Sequence, residues 1–177
     1  MNMSPQGIFP CGDRTKGRVM LLSKMYYRIS KYNPIDRIDG IYQVDDWTSY
    51  SDIGEQYGGR VVQPSEYLAV ETQYISCIQD IWDACHVHHV CISGLEITSD
   101  GLSWENGQSL GRSEASQFLR DSLRERCWAR LEAPRMKIEV GYEFYLHVEC
   151  QLSMDKICEI ANRHRLFVEP WDRFPET

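Results

Sequence analysis

A chain of 177 residues with 42% hydrophobic and 25% charged side chains suits one compact domain with a single core, with room for at most a tail. The formal net charge of −7 opposes binding to phosphate backbones, and no run of about 18 apolar residues is present to cross a membrane. Seven cysteines (Cys11, Cys77, Cys85, Cys91, Cys127, Cys150 and Cys158) show no CxxC spacing and read as small hydrophobes in a reducing, cytoplasmic setting.

Residues 1–24 carry Arg14, Lys16, Arg18 and Lys24 against Asp13, and are broken by Pro5, Gly7, Pro10, Gly12 and Gly17. They read as a flexible basic leader or as a mis-called start, with Met20 and Met25 both plausible first residues. The apolar stretch Val19-Met20-Leu21-Leu22 is too short for the hydrophobic region of a signal peptide. A single domain over residues 25–170 follows. Residues 25–31 alternate, with Tyr27 and Ile29 against Arg28 and Ser30, which predicts a strand ending at Asn33-Pro34. Asp39-Gly40 marks a turn, after which Ile41-Tyr42-Gln43-Val44 pairs back as a hairpin or runs as a loop. In residues 47–54 hydroxyls and an acid precede Ile53, and Gly58-Gly59 closes the segment. A short capped helix, anchored by Trp47 and Ile53, fits that order.

Pro64 opens the clearest helix, with Glu66 favourable in its first turn. Tyr67, Val70, Tyr74, Cys77, Ile78, Ile81 and Cys85 follow the helical period, and Leu68, Ile75 and Trp82 widen the stripe. Glu71, Gln79, Asp80 and Asp83 are assigned to the remaining face. Residues 87–97 read as a strand, 98–113 as a loop, and 114–126 as a helix burying Phe118, Leu119 and Leu123. Cys127, Ala129 and Leu131 then pair with Val140, Ile138 and Met136 across the loop Glu132-Ala133-Pro134-Arg135. From Met136 to Cys150 apolar residues alternate without a break, and a two-residue hairpin loop would switch the parity. One long strand bent at Gly141 is therefore predicted. A last helix starts near Ser153 with Met154, Ile157, Cys158 and Ala161 on one side, and Leu166-Phe167-Val168 leads to Pro170. Such crossovers are right-handed in nearly all sheets, which places the last strand parallel to the long one. The predicted fold is a single α+β domain: a mixed, mostly antiparallel sheet with a long bent strand, packed against a central amphipathic helix and two further helices, with residues 171–177 as a tail.

The charge is uneven. From residue 36 to 105 thirteen acids face only Arg37 and Arg60, a net of −11, while eleven bases and twelve acids nearly balance from residue 106 onward. Such a block suits a basic partner surface or cations; its plainer reading is a solvated face. The run Cys85-His86-Val87-His88-His89-Val90-Cys91 holds zinc-type ligands, and in a strand His86 and His88 share a face that His147 or His164 would have to complete. The alternative is a strand edge with histidines outside and cysteines inside. No GxSxG or phosphate-binding loop is present, since Gly58-Gly59 lacks the following Lys-Ser/Thr, so neither catalysis nor a cofactor is indicated. Ten Tyr and five Trp within an acidic chain suit a protein interface better than base stacking.

Lys31-Tyr32-Asn33-Pro34, Trp47-Thr48-Ser49 with Ser51-Asp52-Ile53-Gly54, Gly141-Tyr142-Glu143-Phe144-Tyr145 and Leu166-Phe167-Val168-Glu169 together resemble a family of small, uncharacterised bacterial proteins. The resemblance spans residues 26–170, and some small acidic proteins of this kind are similar to immunity proteins of bacterial toxin systems. It implies a non-catalytic binding protein that covers a basic toxin domain, and it assigns no functional residues. The charge pattern nominates Asp45, Asp46, Asp52, Glu55, Glu71, Asp80 and Asp83 as the partner-binding set, for a basic protein and not for nucleic acid or membrane. Two other classes stand beside this one: a metal-dependent enzyme using His86 and His88, and a structural or regulatory subunit.

Overall fold

The computed structural model describes residues 24–39 and 41–172. The chain forms strand β1 (Met25–Ser30), a small hairpin of β2 (Arg37–Ile38) and β3 (Ile41–Tyr42), and a second of β4 (Gln56–Tyr57) and β5 (Arg60–Val61). Helix α1 (Pro64–Ala84), β6 (Val90–Ile97), β7 (Ser109–Leu110) and α2 (Arg112–Leu123) come next. The chain continues through β8 (Cys127–Ala133), β9 (Met136–Val140), β10 (Leu146–Cys150), α3 (Met154–Arg163) and β11 (Phe167–Pro170). Seven strands make one sheet in the order β11-β1-β10-β9-β8-β6-β7, every neighbouring pair antiparallel. This is the single α+β domain that the sequence predicts. Because β1 lies between them, β11 and β10 run parallel, one strand apart, as expected for the last crossover.

One core joins the layers. Tyr27, Ile29, Leu146, Val148, Ile138, Leu131 and Ile92 from the sheet meet Tyr74, Ile78, Ile81, Phe118, Leu119, Ile157 and Ile160 from the helices, with α1 between α2 and α3. The helix stripe lands as predicted except at Leu68, which is exposed. All three helices stop in the same way. The amide two residues past the cap reaches back to the carbonyl of the third-last helical residue, as in Val87 N–H to Trp82 O at 3.2 Å, Arg126 to Asp121 at 2.9 Å and Leu166 to Ala161 at 3.0 Å. The residue between adopts the left-handed conformation usually given to glycine, here His86 (φ 53°), Glu125 (φ 58°) and Arg165 (φ 59°).

Several expectations are corrected. Residues 136–150 are not one bent strand but the hairpin β9–β10, with Val140 opposite Leu146. The five-residue connection 141–145 preserves parity because its length is odd; alternation excluded only even loops. It is tight as well, since a Cβ on Gly141 would sit 3.2 Å from the His147 ring and from Tyr145 O. Between β8 and β9 the turn is two residues, not four, so Leu131 faces Ile138 and the register moves by two. The capped helix shrinks to one 3-10 turn at Tyr50–Asp52, and Gly58-Gly59 forms the β4–β5 turn instead of a helix end. The loop 98–113 contains β7 and yields to α2 two residues early. The leader lies outside the described residues except for Lys24, whose ammonium ion-pairs with Glu149. Of the tail, Trp171 donates its amide to Tyr26 O at 3.0 Å and its ring stacks over Arg28. Residues 173–177 lie outside the described residues.

Candidate interaction surface

The nominated acids do not form one open face. Glu71 is buried at 3% exposure and accepts from Arg124 Nε at 2.7 Å and Nη2 at 2.9 Å, with Arg120 3.9 Å away. Position 71 lies four residues after Tyr67 and three before Tyr74, so helical geometry turns it inward and α2 supplies its base. Asp80 meets His164 at 2.8 Å and Arg163 at 3.5 Å, and Asp83 takes a two-pronged contact from Arg112 at 2.7 and 2.8 Å. Asp46 accepts from Lys31 at 2.7 Å and lies 3.6 Å from Arg60. Asp52 works on the backbone, accepting from Thr48 N–H at 2.7 Å, Ser49 N–H at 3.0 Å and Tyr57 OH at 2.9 Å. Burial pulls its carboxyl upward, but those hydrogen bonds outweigh it and leave the group below its ordinary value. Asp45 and Glu55 remain exposed, Asp45 accepting from Gly58 N–H at 2.8 Å.

Residues 31–34, 47–54, 141–145 and 166–169 contribute to a buried clamp. Lys31 Nζ lies 3.7 Å from the Trp47 ring centroid, and Trp47 meets Phe144 edge-on at 5.3 Å. The Tyr74 hydroxyl accepts from Lys31 N–H at 2.7 Å and donates to Phe144 O at 2.6 Å. Burial holds the Lys31 ammonium below its ordinary value, against the opposing pull of Asp46. Tyr32 packs on Tyr42 at 4.7 Å and on Tyr145 at 5.6 Å, while Glu169 takes Arg28 at 3.0 Å and Arg37 at 3.5 Å. These residues are bound to one another, so their chemistry is that of a scaffold.

What the clamp holds outward is the β2–β3 hairpin. Tyr42 and Arg37 tie its base, with Arg37 Nη2 donating to Tyr145 OH at 2.8 Å and Gln43 N–H to Asp36 O at 3.0 Å. Its aliphatic side chains face solvent: Ile35 is 82% exposed, Ile38 63%, Ile41 66% and Val44 48%. Isolated exposed aliphatics are ordinary, but here four fall within ten residues, with Ile38 paired to Ile41 across the hairpin. Asp36 and Asp39 lie on the same hairpin, and Asp45 follows directly. Asp45 and Glu55 both act on Tyr57, whose phenol is held above its ordinary value by the bond to Asp52 first, then by burial and the charges of Asp52, Glu55 and Asp45. Exposed aliphatics and acids therefore lie close together along residues 35–45. The sequence signal was present in Ile35, Ile38, Ile41 and Val44, spaced three apart from just after Pro34 and across the Asp39-Gly40 turn.

The histidines do not assemble. His86 occupies the left-handed end of α1, and His88 and His89 are exposed in the link to β6, so residues 85–89 are not a strand. His147 lies on β10 opposite Arg28 and Glu139, and His164 is engaged by Asp80. Among the described residues no group of three or more His, Cys, Asp or Glu is placed to hold a metal. Cys91 points outward while Val90 and Ile92 are buried, the reverse of the predicted phase. Among the described residues no helix is long and apolar enough to cross a membrane. The chain matches no protein-family model, no curated protein and no solved structure.

Proposed function

We propose that this protein is a non-catalytic binding module of the immunity type, which uses the β2–β3 hairpin to cover a basic domain of a toxin in the bacterial cytoplasm. The observation that carries the reading is the exposed set Ile35, Ile38, Ile41 and Val44 bordered by Asp36, Asp39 and Asp45. Aliphatic anchors supply the energy of an interface core, and a rim of one charge steers a partner of the opposite charge. The internal pairing of Glu71, Asp80 and Asp83 leaves Asp45, beside the hairpin, and Glu55 as the exposed acids of the nominated set that make no ion pair among the described residues. Co-expression with the product of the neighbouring reading frame tests the proposal. A stable one-to-one complex and rescue of growth are expected; a toxic neighbour that is neither bound nor neutralised would remove the basis for it.

A further inference from the structure

The sheet face turned away from the helices carries a row of residues paired across strands: Glu169, Arg28, His147, Glu139 and Arg130. Its charges are mutually satisfied along much of the row, with Arg28 on Glu169 at 3.0 Å and Arg130 Nε on Glu139 at 2.8 Å. Beside Arg130 the pattern changes. Trp128 on β8 stands opposite Glu96 on β6, and the register slips between Ser93 and Glu96. Gly94 sits in that slip at φ 66°, with no atom within 4 Å of where a Cβ would be. The side-chain-free bulge leaves a cleft of about 320 Å³, lined among others by Gly94, Glu96, Trp128, Arg130, Glu139 and Tyr142. Tyr142 is 75% exposed, with its ring centroid 4.8 Å from that of Trp128.

We infer that this cleft is a binding site for an arginine side chain presented by a polypeptide partner. Three features select that occupant. The size stands at the lower end of the ~300–1,000 Å³ found for ligand sites, which suits one side chain better than a cofactor. The walls are aromatic, and a guanidinium stacks on Trp and Tyr faces more readily than a strongly hydrated ammonium does. The charge balance is negative: Arg130 is committed to Glu139, whereas Glu96 makes no ion pair among the described residues. A second small recess shares Trp128 and Gly141 and adds Glu125 and Glu143 on the other side. Burial first, then the charge of Asp52, pushes the Glu125 carboxyl above its ordinary value. The binding-module reading supplies only the polypeptide that carries the arginine; the site itself belongs to the isolated chain.

The test is an amide-proton titration of the isotope-labelled full chain with acetyl-arginine methylamide, alongside the uncharged isostere acetyl-citrulline methylamide. At about 10 mM arginine derivative, a range suited to one weakly held side chain, progressive shifts are expected at the Trp128 indole N–H and at the Gly94 and Gly141 amides. Citrulline leaves them in place. Tyr142→Ala and Glu96→Gln, both at exposed positions, each weaken arginine about three- to tenfold. Spectra that are otherwise unchanged show that these variants stay folded. No shift with arginine, equal shifts with citrulline, or unaltered affinity in both variants overturns the assignment. Ile38→Ser with Ile41→Ser leaves this titration unchanged while weakening the partner complex, so failure of the cleft and failure of the hairpin reading are separable.

Discussion

Replacing Arg124 with Met should destabilise the fold markedly without touching the partner surface. The substitution keeps the aliphatic stem and strips both hydrogen bonds, 2.7 and 2.9 Å, from a Glu71 carboxylate whose side chain is 4% exposed. Breaking a buried pair from one side costs about 3–5 kcal/mol because a charge remains without compensation. Arg120, already 3.9 Å from Glu71, takes up part of that role, so the expected loss is about 2–4 kcal/mol. For a chain of this size that corresponds to about 5–15 °C in Tm. Glu71→Gln leaves the opposite partner uncovered, but the Arg124 side chain is 32% exposed and reaches water, so its cost is smaller, about 1–2 kcal/mol. Urea and thermal unfolding of both variants and of the double variant measure the coupling, and the double variant should be less destabilised than the sum of the two. If Arg124→Met unfolds within about 0.5 kcal/mol of the parent, as surface substitutions usually do, the buried-pair account is wrong and Glu71 belongs to the open acidic surface after all.

Three further outcomes are expected. Asp52→Asn should cost about 1–2 kcal/mol at neutral pH through loss of the cap over Thr48 and Ser49. Because the folded-state pKa of Asp52 is depressed, the parent holds this contribution above the unfolded carboxylate range and loses it as pH falls through the folded value. The variant should therefore show a flatter acid limb in urea midpoints measured against pH. His147 is held down to about 4 from 6.5, by burial first and then by Arg28, so its contribution is complete above pH 6.5 and declines as pH falls toward 4. Direct titration of its ring protons should find it neutral at pH 5.5, and His147→Leu should remove that portion of the acid destabilisation. His86→Gly should raise stability by about 0.5–1 kcal/mol, since glycine relieves the left-handed strain at φ 53° at some cost in unfolded-chain entropy; calorimetry reads the sign.

The helices were legible because their stripes are long and their stops local. Pro64, Tyr67, Tyr74, Ile78 and Ile81 declare α1 from spacing alone, and Ser153 caps α3 where expected, its hydroxyl accepting from Lys156 N–H at 3.3 Å. The errors in the sheet come from loop length, to which side-chain parity is blind: residues 141–145 preserve phase as well as a continuous strand does. Glu71 was misread by chemical type. Its position already placed it between Tyr67 and Tyr74, but the base that makes its burial tolerable is Arg124, 53 residues later, and no local pattern announces such a partner. The hairpin was visible as a turn and its aliphatics as residues. Whether Ile38 and Ile41 face the core or solvent depends on Tyr42, Tyr145 and Arg37 meeting beneath them, which only the folded chain decides.

The measurement that tests the central claim most directly is calorimetric titration of the neighbouring gene product into the parent chain and into the Ile38→Ser/Ile41→Ser variant. The exposure of 63% and 66% at these positions means the variant should melt with the parent, while its partner affinity falls by about 2–4 kcal/mol, some 30- to 1,000-fold, as expected for anchors at an interface centre. Raising salt should weaken the parent complex further through the aspartate rim. Undiminished affinity in a variant that melts normally would place the interface elsewhere and contradict the account.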